Sequence, residues 1–282
     1  MPTYTWFLFL SFLAIFSPTH VAARPDGDAI SIKLDRGKRI IVEGTVDNSV
    51  PVNMMLDTGS TCSVVNTKLA KRLRLRTILD NVPVLWSDQV VHRSLVVVPD
   101  IKVGPIHRPL SCPAADIPLS GVDVIIGRDL LRSHIFTVDY EEHSLRFGAQ
   151  AALKYRVPFD TSRKEIIVPL RIGEREISLL LDSGSDNLYL FENKVYPWLR
   201  FNPERLGALL RHVTTMRRCM MVSLSNVSFG GTDLDQIQAV VLESLPNGQS
   251  RQVEWHGLLG LGVLKAKRVQ FDLRNGLFSW DR

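Results

Sequence analysis

The chain has 282 residues, 45% hydrophobic and 22% charged, with a formal net charge of +5. That composition can fill one sizeable core or two smaller ones. It contains no low-complexity tract, and its positive charge is spread rather than clustered, which gives no footing to a nucleic-acid partner.

In chain order, the first feature is MPTYTWFLFLSFLAIFSPTHVAARPD. Its apolar run from Trp6 to Phe16 is too short to span a bilayer comfortably and ends in small residues up to Ala23. Residues 1–23 read as a signal peptide cut before Arg24, sending the chain to a secreted or periplasmic location with no stable membrane span. The n-region carries no Lys or Arg, so a retained N-terminal anchor is the rival reading. A short polar segment, 24–37, follows.

Next come two related runs, KRIIVEGTVDNSVPVNMMLDTGST and KEIIVPLRIGEREISLLLDSGSD. Each has an Ile-Ile-Val strand, a turn (Asn48 in one, Gly173 and Glu174 in the other) and a second apolar strand ending in an aspartate. Asp182 follows Asp57 by 125 residues. Downstream, DVIIGRDLLRSHIFTVDYEEHSLRFG and HGLLGLGVLKAKRVQFDLRNGLFSW repeat a pattern too. Each has two aliphatic residues and a glycine, Gly127 or Gly260, and an aspartate twelve residues on, Asp139 or Asp272. Matched strands before and matched glycine motifs after, in the same order, mean a duplicated chain.

Short β-branched runs between turns predict all-β copies over 38–150 and 164–282, joined by a linker at 151–163. Only short helices are expected, one after Asn66 and another after the second glycine motif. RLRLR at 72–76 reads as a solvated helix face or edge strand.

Each Asp-Thr/Ser-Gly triplet sets a carboxylate on a tight turn rooted in an apolar strand, a rigid base for catalysis. Two related lobes packed about a pseudo-twofold axis would bring Asp57 and Asp182 face to face. Close carboxylates share a proton, so one acts as base on water while the other donates to a carbonyl, which suits amide hydrolysis.

LDTGST and LDSGSD, each followed by an aliphatic-aliphatic-glycine motif, resemble the aspartic protease family over about residues 38–280. Short lobes with plain internal similarity look like two retropepsin-like domains in tandem. The resemblance implies a bilobal all-β fold with a cleft for a peptide or protein substrate, and no cofactor or metal. By position, Asp57 and Asp182 match the catalytic pair, and Thr58 and Ser183 the hydroxyls that brace it. Gly59 and Gly184 match the loop glycines, and Ser60 and Ser185 hydroxyls that bond to the carboxylates. Gly127 and Gly260 match the glycines that thread beside each loop. A single-chain monomeric endopeptidase is the first reading. A protease active only as a homodimer, and a non-catalytic peptide-binding or structural module, are the alternatives.

Flap candidates are 81–98, with Trp86 near its turn, and 209–224; neither has a glycine-rich tip. Asp186 is expected to face solvent and His256 to be structural. The seven histidines form no zinc pattern, and no Gly-x-Ser-x-Gly elbow occurs. Cys62, Cys112 and Cys219 leave two readings open: a Cys62–Cys112 disulfide, or three buried free thiols.

Overall fold

The computed structural model describes residues 29–35, 38–47, 49–86, 89–148, 153–199, 206–212, 215–234, 236–244 and 252–282. Residues 1–23, read as a signal peptide, and the Asn48 turn lie outside them. Among the described residues no helix is long and apolar enough to cross a membrane.

The first copy opens with strands β1 (Ile30–Leu34), β2 (Ile40–Val46), β3 (Val50–Leu56) and β4 (Val64–Asn66). Helix α1 (Thr67–Arg72) leads to β5 (Arg76–Trp86), β6 (Gln89–Val103), β7 (Ile106–Ala115) and β8 (Val124–Ile126). Helix α2 (Arg128–Leu131), β9 (Ile135–Asp139) and β10 (Ser144–Phe147) close it. The second copy begins with β11 (Tyr155–Pro158), β12 (Ile167–Ile172), β13 (Arg175–Asp182), β14 (Leu188–Phe191) and helix α3 (Glu192–Val195). Then come β15 (Leu206–His212), β16 (Thr215–Leu224), β17 (Val227–Phe229), β18 (Thr232–Asp233) and β19 (Ile237–Leu242). Strand β20 (Gly257–Gly260), a helical turn at Leu261–Leu264, β21 (Arg268–Asp272) and β22 (Leu277–Asp281) end it.

Local chemistry explains the elements. In β2, Ile40, Val42 and Val46 are buried while Glu43 is exposed, the period-2 pattern of a strand with one covered face. Helix α1 starts where the Asn66 side chain accepts from the Lys68 N–H at 2.9 Å, and its last turn carries Lys71 and Arg72 against the dipole. It stops at Arg74, in the left-handed region at φ 51°, so RLRLR straddles a helix end and the start of β5.

The described residues form a β-rich fold with two sheets. One has thirteen strands in the order β11-β22-β21-β9-β10-β1-β2-β3-β8-β4-β7-β6-β5; the other has nine, β15-β16-β19-β14-β20-β13-β12-β17-β18. Within each, the same motif recurs. Strand β3 runs parallel to β8, with Leu56 opposite Ile126; β13 runs parallel to β20, with Leu181 opposite Leu259. Strands β4 and β14 then pair antiparallel to β8 and β20, and parallel to β7 and β19. Both expected flap segments fall on hairpins in matching places, β5–β6 and β15–β16. Residues 87, 88, 213 and 214 at their tips, and the Trp86 side chain, lie outside what is described.

Two segments set outside the lobes by sequence carry strands. Strand β1 falls within 24–37 and β11 within 151–163; each adds to the sheet that joins the copies. Strand β11 pairs with β22, more than a hundred residues on, and β1 bridges its neighbour β2 and the distant β10, partners that local pattern does not register.

That joint is the antiparallel pair β9–β21. Thr137 lies opposite Gln270, 133 residues on, and donates its hydroxyl to the Gln270 Oε1 at 3.1 Å. Next to it Phe136 and Phe271 are opposite, fully buried and stacked with centroids 5.0 Å apart. Phe278, Trp280 and Phe229 extend the stack into the second copy. Truncating a buried phenylalanine leaves a cavity and costs about 3–5 kcal/mol. Phe136→Ala is therefore expected to lower stability by about that amount in urea titration, and Phe271→Ala to do the same; an effect under about 1 kcal/mol in both would show that the joint is not part of the core.

Candidate active site

Each Asp-Gly loop is rooted in three buried residues. Met54, Met55 and Leu56 precede Asp57; Leu179, Leu180 and Leu181 precede Asp182. The glycine motif then threads past the loop. The Arg128 N–H donates to the Ser60 carbonyl at 2.9 Å, and the Leu261 N–H to that of Ser185 at 3.1 Å. Gly127 packs so closely that a Cβ there would lie 2.5 Å from the Cys62 carbonyl carbon, and one on Gly260 would lie 2.7 Å from the Asn187 nitrogen. Any side chain at either glycine would push the loop away.

The two loops are tied to each other across the copies. The Thr58 N–H donates to Ser183 Oγ at 2.9 Å, and the Ser183 N–H to Thr58 Oγ1 at 3.0 Å. The Thr58 hydroxyl donates to the Leu181 carbonyl at 3.0 Å, and the Ser183 hydroxyl to that of Leu56 at 2.9 Å. Both residues are buried, and each hydroxyl accepts one bond and donates one. Gly59 and Gly184 sit against the opposite carboxyl: a Cβ on Gly59 would be 2.6 Å from Asp182 Cγ, and one on Gly184 2.9 Å from Asp57 Cγ.

The carboxyls of Asp57 and Asp182 share a hydrogen bond. Both residues keep part of their surface open, yet protein surrounds each carboxyl closely enough to desolvate it. Burial raises both pKa values; Asp182 is raised well above the ordinary 3.8, by burial first and the Asp57 charge second. The asymmetry has a visible source. Asp57 Oδ1 accepts the N–H groups of Gly59 at 2.9 Å and Ser60 at 3.0 Å, whereas Asp182 Oδ1 accepts only that of Gly184 at 2.8 Å. The extra N–H donor favours the charged form of Asp57 over that of Asp182.

Two matched hydroxyls go elsewhere than the resemblance implies. The Ser60 hydroxyl donates to the Cys62 carbonyl at 2.7 Å, and Ser60 reaches Asp57 through its N–H. The buried Ser185 Oγ has no partner. In these tight turns the backbone N–H groups already occupy the near carboxylate oxygen.

Sequence reading missed Ser63, Asp129 and Arg128. The Ser63 N–H and hydroxyl both donate to Asp129 Oδ1, at 2.9 and 2.7 Å, and Ser63 Oγ accepts the Gly127 N–H at 3.0 Å. Buried Arg128 reaches the carbonyls of Arg163 and Lys164, the residues leading into the second copy. The signal available was the Arg-Asp after Gly127, which Leu261 and Gly262 replace in the second copy.

The remaining expectations fall as follows. Asp186 keeps part of its surface open and accepts from Asn187 Nδ2 at 2.8 Å. His256 is bonded into the sheet through Ser178 and Phe191. Cys62 and Cys112 are not joined in a disulfide; Cys62 is half-buried, and burial with the Asp129 charge pushes Cys112 up to about 12. Among the described residues no group of three His, Cys, Asp or Glu is placed to hold a metal. Two surface cavities, of about 320 Å³ beside Asn66 and about 470 Å³ beside Lys154, lie away from the aspartates.

Thr58→Val keeps the bulk and deletes the hydroxyl, stranding the buried Leu181 carbonyl and Ser183 N–H. A cost of about 1–3 kcal/mol is expected in urea titration. The carboxyl pair has its own signature. A folded-state pKa raised above the unfolded one contributes stability that is full below about pH 3.8 and is lost as pH climbs through the raised value. Asp182→Asn should therefore be more stable than the parent at pH 7, with the gap closing near pH 3.5. Parallel urea titrations at the two pH values check this, and a gap independent of pH would contradict the raised value.

Residues 42–130 match the family described as Aspartyl protease, a span that holds the Asp57 loop and the Gly127 motif. The chain is also 28% identical over 106 residues to DNA damage-inducible protein 1 of Saccharomyces cerevisiae, covering 36% of this chain and 24% of that protein. The chain thus spans about a quarter of that relative's length. Over residues 42–130, this chain is similar to an aspartic-protease-like family.

Proposed function

We propose that the chain is an aspartic endopeptidase whose single site takes one carboxyl from each copy, so that one chain suffices. The observation that carries this reading is the hydrogen-bonded Asp57–Asp182 pair held by the reciprocal Thr58–Ser183 bonds. Gln270 is the counterpart of Thr137 at the 133-residue offset of the two glycine motifs, and the two lie opposite each other in the antiparallel pair β9–β21, which supports a pseudo-twofold axis between them, with lobes near 38–150 and 164–282.

In this mechanism Asp57, anionic, takes a proton from a water lying between the carboxyls, and the oxygen attacks the peptide carbonyl carbon. Protonated Asp182 gives its proton to the carbonyl oxygen as it becomes a hydroxyl. Asp57 then passes its proton to the amide nitrogen, the C–N bond breaks, and a gem-diol hydroxyl returns a proton to Asp182. Holding the loops through backbone contacts pre-sets this geometry. Hairpins β5–β6 and β15–β16 are the segments proposed to close over an extended peptide and exclude water. Export through residues 1–23 is part of the same proposal.

Proteolysis of a mixed peptide library from pH 3 to 8 tests the reading. Cleavage is expected from the parent, lost by at least about a thousandfold in both Asp57→Asn and Asp182→Asn. The alkaline limb should lie above the ordinary carboxylate range, because the working state needs Asp182 protonated. Activity surviving in either variant would sink the coupled site. A parent that binds peptides and cuts none would make the chain a peptide-binding module, and activity that tracks dimer concentration would transfer the site to a self-associated form.

A further inference from the structure

Charge that is spread along the sequence gathers at one place on the folded surface. Residues 68–76 hold five cations, Lys68, Lys71, Arg72, Arg74 and Arg76, and no acid occurs from Thr67 to Leu79. Lys68, Lys71 and Arg72 are spaced i, i+3, i+4, which sets them on one face of α1, while Leu69 and Ala70 are buried. Arg74 is held at the helix end, where its N–H donates to the Lys71 carbonyl at 3.1 Å. All five cations are exposed, and Leu73 and Leu75 between them pack on the core and fix the segment. Among the described residues none of the five forms an ion pair. The next carboxylate along the chain, Asp80, accepts the Ser94 hydroxyl at 2.7 Å.

An apolar step adjoins the cations. Strand β5 is an open edge of the thirteen-stranded sheet, and its register shifts between Thr77 and Leu79. In a regular strand neighbours alternate faces; at this bulge Ile78 and Leu79 are both exposed, at 37% and 57%. The duplicated fold does not require such a surface: helix α3, which follows β14 as α1 follows β4, carries Glu192 beside Lys194. Basic residues alone would only guard a sheet edge against strand pairing. With two aliphatic side chains beside them, the partner has to be anionic and apolar at once. A bilayer with anionic headgroups is both: the headgroups attract the cations, and the acyl boundary takes Ile78 and Leu79. Nucleic acid offers the charge without the apolar layer, and Thr67–Leu79 holds no aromatic residue to stack a base.

We infer that Lys68, Lys71, Arg72, Arg74 and Arg76, with Ile78 and Leu79, dock the folded chain onto a bilayer bearing anionic phospholipid headgroups. The base of the β5–β6 hairpin, where Arg76 lies opposite Val97, then rests at the membrane surface. This inference stands apart from the endopeptidase reading.

Flotation of the full chain tests it, with vesicles of phosphatidylcholine alone and of phosphatidylcholine with about one third phosphatidylglycerol. Neutral vesicles register any binding by residues 1–23, so docking is read as the difference between the two. Anionic vesicles are expected to bind at least about a hundredfold more tightly at about 0.1 M salt, with the difference gone near about 0.5 M. Lys68→Gln, Lys71→Gln and Arg72→Gln together should remove most of that difference with an unchanged melting temperature, since each Lys or Arg at such a surface tightens binding about fivefold. Ile78→Ser with Leu79→Ser keeps the charge and should weaken anionic-vesicle binding about tenfold, while binding to a short DNA duplex stays as in the parent. Equal binding to both vesicle types, or an anionic preference that survives the triple change, overturns the docking surface. A duplex bound more tightly than the anionic vesicles, or vesicle binding indifferent to the aliphatic pair, would make the partner a polyanion and overturn the lipid assignment.

Discussion

Four hydrogen bonds between Thr58, Ser183 and the carbonyls of Leu56 and Leu181 set the rest of the site. Both hydroxyls are buried, so a bond left unmade would be costly and the loops are drawn to one separation. At that separation each carboxyl lies against the other copy's loop. No room remains for a Cβ at Gly59 or Gly184, which accounts for glycine there without any appeal to unusual dihedrals. The same approach places two carboxyls in contact with little water, and their raised pKa values follow. Hydroxyl, glycine and shared proton are thus successive consequences of one close approach.

The copies do not carry that approach equally. The first loop is braced from its own half by Ser63 and Asp129, and Arg128 extends from its glycine motif to the carbonyls entering the second copy. The second loop has Leu188, Leu261 and Gly262 at the corresponding places. There a backbone contact replaces the side-chain brace: a Cβ on Gly262 would be 2.5 Å from the Asp186 carbonyl oxygen. The better-braced loop offers Asp57 two N–H groups, and the other offers Asp182 one. In the proposed mechanism this inequality decides which aspartate begins as base and which as acid.

What could be read from the sequence was whatever depends on spacing. The interval of 125 residues between the aspartates reappears as the separation of the Thr58–Ser183 bonds, and the two glycine motifs thread the loops at matching positions. The helix after Asn66 was legible from its cap. What depends on where a loop turns was not. The Ser60 hydroxyl had two acceptors in reach, and the turn geometry, with backbone N–H groups already on the carboxylate, sent it to Cys62. Strands β1 and β11 were hidden because short strands gain their identity from partners, and each has one more than a hundred residues away. Asp129 and Arg128 were passed over because the second copy lacks them, and comparison of repeats favours what the repeats share.

The joint between β9 and β21 does more than hold the halves together. Side chains on a strand alternate faces, so a one-residue slip would turn Phe136 and Phe271 out of the stack and expose two buried rings. Burial of those rings therefore selects one register, the one that sets Thr137 opposite Gln270. Through β9 and β21 that register fixes how the first copy's α2 and the second copy's helical turn sit, and both follow directly from the glycines threading the loops. The joint and the site rest on different residues of one continuous chain, so the aromatic stack and the hydroxyl cross-brace have to be satisfied together.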